Sequence, residues 1–450
     1  MSSTASTPAP DPALIELPAA RAVWKVAWPM IAIGMLKSAY FLTDSYFVGL
    51  LGAKELAALG GAAFAWWMIW IVTDLASVGT HALSSRHEGG GRRSEIGPVL
   101  TQGLWVSLLV AVGLIVFAYP ARDLYFDLLG FEAGSEESLR GAEFLGASLL
   151  GGGSLCLSQV LSAVFRGIGD TRTALVIAIV TLVLNAALDP VFIWTFDLGI
   201  AGAAWATATA NAVGALFGLV LLVRRSLGPV RTPPAVAAMV RIIKIGLPIA
   251  ASGVGFSLVY VLLGRFINDF GTEHMAGLGV GHRIESLGYM YSVGMMTGVA
   301  TMVGQHLGAQ NPAMAARCAH VGAAICGLSL LPMAALLYAT APALFDVFTD
   351  DPATAAAGVY YLRIQLLVLA LMGVEVTYEG AFSGAGDTMP TFWITVIFTG
   401  ARIPGAWWLA YEQGWGIGGV WWAIAASTAI KGVVMAAWFA RGKWVGALEV

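Results

Sequence analysis

A carboxylate kept inside an apolar stretch is costly, so each one is informative. In AYFLTDSYFVGLLG, Asp44 lies deep in the first long apolar run of the chain. Asn185 and Asp189, in TLVLNAALDP, are four residues apart and share one face of a helix. Thr207 follows in GIAGAAWATATA. Two carboxylates, an amide and a hydroxyl that converge would suit a proton or a small hard cation. Oxygen ligands suit sodium, and neighbouring carboxylates raise each other's affinity for protons. The competing reading for both aspartates is structural, with each carboxyl bonded to helix backbone or lying near the outer headgroups.

The second half of the chain carries a different set. Glu375 and Glu379, in VEVTYEGAF, sit one turn apart on a common face, and His282, Arg283 and Glu285 cluster in another apolar run. Arg363, Arg402 and Lys431 are further cations in apolar surroundings, and Lys37, Asp74 and Glu143 are further ionisable residues in the spans of the first half. An ionisable group at mid-membrane costs at least about 2.5 kcal/mol on insertion scales. These residues are therefore expected to form either a substrate site or an internal Arg–Glu network that satisfies its own charges. At least one of the two glutamates should approach a cation among Arg283, Arg363, Arg402 and Lys431.

The elements that hold these groups are membrane helices. Apolar residues make up 58% of 450 positions, charged residues 11%, and mean hydropathy is +0.78. That is too little polar surface to cover a soluble globule of this length. Apolar runs long enough to span a bilayer occur at about 24–50, 60–84, 97–119, 139–162, 170–194 and 200–224. A second set follows at 240–264, 276–305, 317–340, 357–383, 388–410 and 417–441. Placing both termini in the cytoplasm puts Arg86, Arg92, Arg93, Arg172, Arg224, Arg225 and Arg231 on the inner side. Acids such as Glu132, Glu136, Asp346 and Asp350 then face outward. This is the positive-inside pattern of a multi-pass protein of the plasma (cytoplasmic) membrane.

The chain also repeats itself. FRGIGDT from Phe165 returns as FSGAGDT from Phe382, and GIAGAAWA from Gly199 returns as GIGGVWWA from Gly416, both at one common offset. WPMIAIG from Trp28 answers LPIAASG from Leu247, and Leu51-Gly52 answers Phe270-Gly271, at an offset longer by two positions. Six spans is an even number, so both halves enter the membrane from the same side, a parallel repeat. The expected fold is an all-α polytopic membrane protein of twelve helices in two homologous six-helix lobes. Its expected parts are a tail at 1–23, an N-lobe at 24–226, a linker at 227–240, a C-lobe at 241–441 and a tail at 442–450.

Other classes find little support. No basic-aromatic surface suggests nucleic acid, no phosphate-binding P-loop is present, and the histidines show no metal-ligand spacing. Cys156, Cys318 and Cys326 read as small core residues. The tryptophans, among them Trp66, Trp70, Trp407, Trp421 and Trp422, read mostly as interfacial anchors. An intramembrane enzyme is disfavoured because no HExxH, Ser–His or metal cluster falls in any span.

Across nearly its whole length the sequence resembles the MATE (multidrug and toxic compound extrusion) transporters. The resemblance rests on Pro29, Asp44, Gly49, Leu51 and Gly52, the RGIGDT loop from Arg166, LNAALDPVFI from Leu184 and GIAGAAWAT from Gly199. It continues in GLP from Gly246, VGQHLGA from Val303 and FSGAGDT from Phe382. It implies an exporter that exchanges cationic or amphipathic organic compounds for protons or sodium. The family's N-lobe cation site would fall on Asp44, Asn185, Asp189 and Thr207, with sodium as a candidate occupant and Pro29 as a bend in the first helix. Beyond the coupling ion no cofactor is expected. Expected partners are small organic substrates and membrane lipid, with the chain acting as a monomer. The site is not repeated: Asn185 becomes Arg402, Asp189 becomes Ala406 and Asp44 becomes Leu263. A flippase for lipid-linked precursors is the nearest alternative, carried by Arg283, Arg363 and Arg402.

Overall fold

The computed structural model describes residues 13–128, 131, 132 and 134–446. The expected tails therefore lie partly outside the described residues. The first half contributes α1 (Ala19–Gly49), α2 (Ala53–Gly89), α3 (Ile96–Gly113), α4 (Glu136–Gly167), α5 (Thr171–Pro190) and α6 (Gly199–Arg224). The second contributes α7 (Val236–Asn268), α8 (Thr272–Gly308), α9 (Pro312–Phe348) and α10, which is broken into Pro352–Leu366 and Leu369–Ala385. Then come α11 (Met389–Gly400, continuing through Arg402–Trp407) and α12 (Ile417–Phe439).

Nine of these helices are long and apolar enough by themselves to cross a membrane, and the two parts of α10 pass together across a 56° bend. The remaining two, α8 and α11, explain why hydropathy alone undercounts. α8 has 37 residues and dilutes its apolar surface with His282, Arg283 and Glu285, while α11 is interrupted near Ala401. The twelve expected spans all fall on helices of the structure. α1 runs unbroken through Pro29.

The duplication reaches the backbone. α5 ends in a π turn at Val191–Thr195, and α11 ends in one at Trp408–Glu412, the repeat-equivalent position. The turns close with Phe196 N–H donating to Val191 O at 2.9 Å and Gln413 N–H donating to Trp408 O at 3.0 Å. A shared cause is close crossing by the next helix. A Cβ on Gly202 would lie 2.8 Å from the Ile193 nitrogen, and one on Gly419 would lie 2.6 Å from the Ala410 nitrogen. Only glycine at these positions of GIAG and GIGG lets α6 and α12 press against the widened turns.

The described chain divides into two compact units. The first holds Ala32–Ala250 and Gly304–Gln310, and the second holds Leu17–Ile31, Ala251–Val303 and the chain from Asn311 onward. α1 thus changes unit two residues after Pro29, and α7 two residues after Pro248. Within the second unit, Gly298 of α8 lets Ala27 of α1 come so close that a Cβ would sit 2.7 Å from the Ala27 Cβ. Within the first, a Cβ on Gly79 of α2 would run into the Ile242 backbone of α7, and Gly79 is the repeat counterpart of Gly298.

The loop before α7 is tied down. Val230 N–H donates to Thr101 Oγ1 at 2.9 Å, and Ala235 N–H donates to Gln102 Oε1 at 2.8 Å. One expectation needs correction: Trp421 is fully buried, with its ring 4.8 Å from that of Tyr361, so it is a core residue and not an interfacial anchor.

Candidate cation-binding site

In the first unit, Asp44 comes from the C-terminal part of α1, Asn185 and Asp189 from the last turns of α5, and Thr207 from α6, just beyond the Gly202 crossing. Helical spacing stacks Asn185 over Asp189, and the close α5–α6 approach carries Thr207 alongside them. Asn185 Nδ2 donates to Asp189 Oδ1 at 3.4 Å and to Thr207 Oγ1 at 3.3 Å. Thr207 Oγ1 in turn donates to Asp44 Oδ2 at 3.4 Å. The structure thus brings together all four residues.

These bonds are long, beyond the usual range for such pairs. Asp189 and Asn185 are fully buried and Asp44 is 8% exposed. Asp44 Oδ1, Asn185 Oδ1 and Asp189 Oδ2 are each buried without a hydrogen-bond donor among the described residues. The two carboxyl groups lie near enough to repel each other when both are charged, and the other side chains bonded to them, Asn185 and Thr207, are neutral. Burying such a pair is tolerable only with positive charge among the oxygens, as protons on the carboxyls or as a small cation. Among the described residues no three His, Cys, Asp or Glu side chains are grouped to hold a metal ion. The donor set fits a hard alkali ion or a proton and not a thiolate- or imidazole-bound transition metal.

The second unit answers with a permanent cation. Arg402, at the position equivalent to Asn185, is buried and donates to Ser427 Oγ at 2.7 Å, Thr428 Oγ1 at 2.9 Å and Tyr260 Oη at 3.4 Å. Its guanidinium also lies over the rings of Phe256 and Tyr260. Leu263 and Ala406, opposite Asp44 and Asp189 in the repeat, are fully buried apolar residues.

The glutamates of α10 part company. Glu375 forms an ion pair with Lys431 at 2.7 Å, with side chains 9% and 4% exposed, whereas Glu379 makes no ion pair among the described residues. Glu285 accepts a hydrogen bond from Tyr361 Oη at 2.8 Å. Arg283 pairs with none of these glutamates, and Arg363 lies over the Tyr338 ring. The expected Arg–Glu network is therefore a Lys–Glu pair beside a separately satisfied arginine. The hydroxyl partners Tyr260, Tyr361, Ser427 and Thr428 left no mark in the sequence, because such residues are scattered through every span.

At the N-terminal ends of α5 and α11 the repeated GDT loops also differ. Asp170 caps α5, accepting from Thr173 N–H at 3.2 Å and from Thr173 Oγ1 at 2.6 Å, and it pairs with Arg225. Burial pushes its carboxyl up, but the Thr173 and Arg225 hydrogen bonds outweigh that and hold it below the usual range. Its counterpart Asp387 has burial alone acting on it and is raised.

Twelve helices in two homologous sets, nine of them long and apolar enough alone to cross a membrane, hold buried ionisable clusters, as a multi-pass membrane transporter does. The family model MatE matches twice, over residues 29–191 and 248–408, so the two matches begin and end at the offsets of the internal repeat. The chain belongs to the MatE family, whose members are transporters and not enzymes. It is 26% identical over 428 residues to a probable multidrug resistance protein NorM of Thermotoga maritima, covering 93% of this chain and 92% of that one. It is 23% identical over 366 residues to the multidrug export protein MepA of Staphylococcus saprophyticus, covering 80% of each. Its fold matches a multidrug resistance MATE family transporter solved in an outward-facing conformation, with a TM-score of 0.87 at 24% identity, covering 97% of this chain and 98% of that one. The family's solved structures have twelve helices in two lobes, as expected for this chain.

Proposed function

We propose that this protein is a cation-coupled antiporter of the plasma membrane that exports cationic or amphipathic organic compounds in exchange for protons or sodium. The observation that carries the reading is the convergence of Asp44, Asn185, Asp189 and Thr207, with three buried oxygens lacking donors. Such a site binds a small cation reversibly because its own hydrogen bonds are loose and its charge is uncompensated. Coupling then requires only that the cation favour one transport state over the other. The multidrug names of the NorM and MepA relatives support the substrate class. Both termini lie in the cytoplasm in this reading, as the positive-inside pattern supports, and the chain is taken to work as a monomer.

The flippase alternative has less support, because Arg402 is already engaged by Ser427, Thr428 and Tyr260. The test is transport in proteoliposomes with proton and sodium gradients imposed separately. One gradient should drive uptake of an organic cation such as ethidium, and neither should do so in an Asp44→Asn, Asp189→Asn double variant. Full gradient-driven transport by that variant removes the site from the mechanism.

A further inference from the structure

A cleft at the start of α4 belongs to none of the charged sites above. It lies within the first unit, encloses about 320 Å³, and sits between the end of the apolar span Arg93–Leu128 and the starts of α4 and α6. The Tyr119–Ala121 turn and the short helix Arg122–Leu128 supply one wall, and Trp205 of α6 supplies another. The floor is one face of α4, whose lining residues recur with helical spacing from Leu139 to Leu150.

Three kinds of surface follow one another along that face. Glu143 comes first, with 51% of its side chain exposed, and Asp123 on the short helix is 64% exposed. One turn further into the span, Arg122 lies against Gly146, where a Cβ would meet Arg122 Cδ at 3.4 Å. Leu150, seven residues past Glu143 and so about 10 Å along the axis, begins the apolar end and is 42% exposed. Phe117 and Leu124, two residues to either side of Tyr119 and Arg122, are 80% and 56% exposed, so the wall borders lipid.

Arg122 is held but not used up. Its Nη1 donates to Tyr119 O at 3.0 Å, and its Cζ lies 4.2 Å from the centroid of the Tyr119 ring. Its Nη2 stands 3.8 Å from Asp123 Oδ2, too far for a hydrogen bond. Most of the guanidinium fork therefore keeps donors to offer. Glu143 meets Arg140 at 3.3 Å, a pair exposed enough for water and salt to weaken it.

We propose that this cleft binds a phospholipid whose headgroup carries a primary ammonium, phosphatidylethanolamine. Arg122 takes the phosphodiester oxygens, Glu143 and Asp123 take the ammonium, and the acyl chains leave past Leu150 along α4. The sequence of carboxylate, guanidinium and apolar surface down the span matches the sequence of ammonium, phosphate and chains down one leaflet. A planar fork suits a pair of phosphate oxygens. Carboxylates favour an ammonium with three N–H donors over a quaternary one that has none. A soluble anion would use the arginine and leave the apolar floor empty.

The probes are dioleoyl phosphatidylethanolamine and dioleoyl phosphatidylcholine, which share chains and phosphate and differ at the nitrogen. Binding of lipid to the purified full chain in detergent is read by native mass spectrometry. The parent should bind the ethanolamine lipid about fivefold or more tighter than the choline lipid. The Asp123→Asn, Glu143→Gln double variant keeps the shape of two exposed side chains. It should bring the two lipids to equal affinity while leaving choline-lipid binding at the parent's level. Arg122→Gln should weaken both lipids by about fivefold, because both present the phosphate, and its melting curve, read at the buried cysteines, reports that it is folded. Equal binding of the two lipids by the parent, a double variant that keeps the parent's preference, or a folded Arg122→Gln that binds both as the parent does would each overturn the site. Displacement of the lipid by an equal concentration of glycerophosphoethanolamine would make the cleft a site for a soluble phosphodiester and overturn the lipid assignment.

Discussion

Lys431→Met removes an ammonium while keeping most of the side chain's bulk, and the consequences can be worked from its surroundings. Lys431 and Glu375 are 4% and 9% exposed and 2.7 Å apart, so the substitution leaves a buried carboxylate without its counter-ion. Glu379, one turn along α10, also feels the charge of Glu375 and the relief supplied by Lys431. Losing the lysine therefore strands the Glu375 carboxylate beside a second buried glutamate, and the cost should lie at about 3–5 kcal/mol for breaking a buried pair. At roughly 2 °C per kcal/mol for a unit of this size, the melting temperature should fall by about 6–10 °C. The protein carries its own reporters, because Cys156, Cys318 and Cys326 are free and buried. A maleimide that fluoresces on thiol attachment will report unfolding in detergent. Glu375→Gln should cost less, since Glu379 remains to offset Lys431. The Glu375→Gln, Lys431→Met double variant should recover at least half of the loss. Melting of Lys431→Met within about 1 °C of the parent, or a double variant no better than that single one, would refute the reasoning.

Asp44→Asn and Asp189→Asn should each abolish gradient-driven export in proteoliposomes while leaving the thiol-reactive melting curve close to the parent's. Thr207→Ala, which removes a neutral oxygen, should reduce the transport rate less than either. Asp170 has a depressed carboxyl, so its contribution is present above the unfolded value near 3.9 and is lost as pH falls through the folded value. The melting gap between the parent and Asp170→Asn should therefore hold between about pH 7 and 5 and close below about pH 4. For Asp387 the sign reverses: its raised carboxyl contributes stability at low pH that is lost as pH rises through the folded value, so Asp387→Asn should be neutral or stabilising at pH 7. Gly246→Ala drives a Cβ into the Leu75 carbonyl oxygen. It should cost about 1–3 kcal/mol in the same melting assay.

The duplication was legible because its signs are chemical as well as statistical: Gly169 and Gly386 both hold positive φ, at 80° and 78°, in matching loops. The four residues of the cation site were legible because amides and carboxylates are rare in apolar runs. What the runs could not show is rotation about a helix axis. Arg283 and Lys431 are equally out of place in sequence, yet only the second meets Glu375, which depends on how α8, α10 and α12 pack. Lys37 was visible as a charged residue, but its approach to the Trp70 ring needs α1 and α2 to be in place. The 56° bend at 367–368 carries no proline or glycine, so no local signal marks it.

The exchange of leading segments bears on how such a chain can arise. Each unit is completed by the front of the opposite half's first helix, Leu17–Ile31 in one and the residues of α7 up to Ala250 in the other. A lone ancestral half would leave the close-packing surface at its Gly79 or Gly298 equivalent bare and its own leading segment without a seat. Two copies in parallel orientation remove both defects at once, each lending the other its first turns. Gene fusion through a loop such as 227–235 then makes permanent a partnership that the helices already required, and only afterward could one copy trade its two carboxylates for Leu263 and Ala406 and its amide for Arg402 without losing the other's.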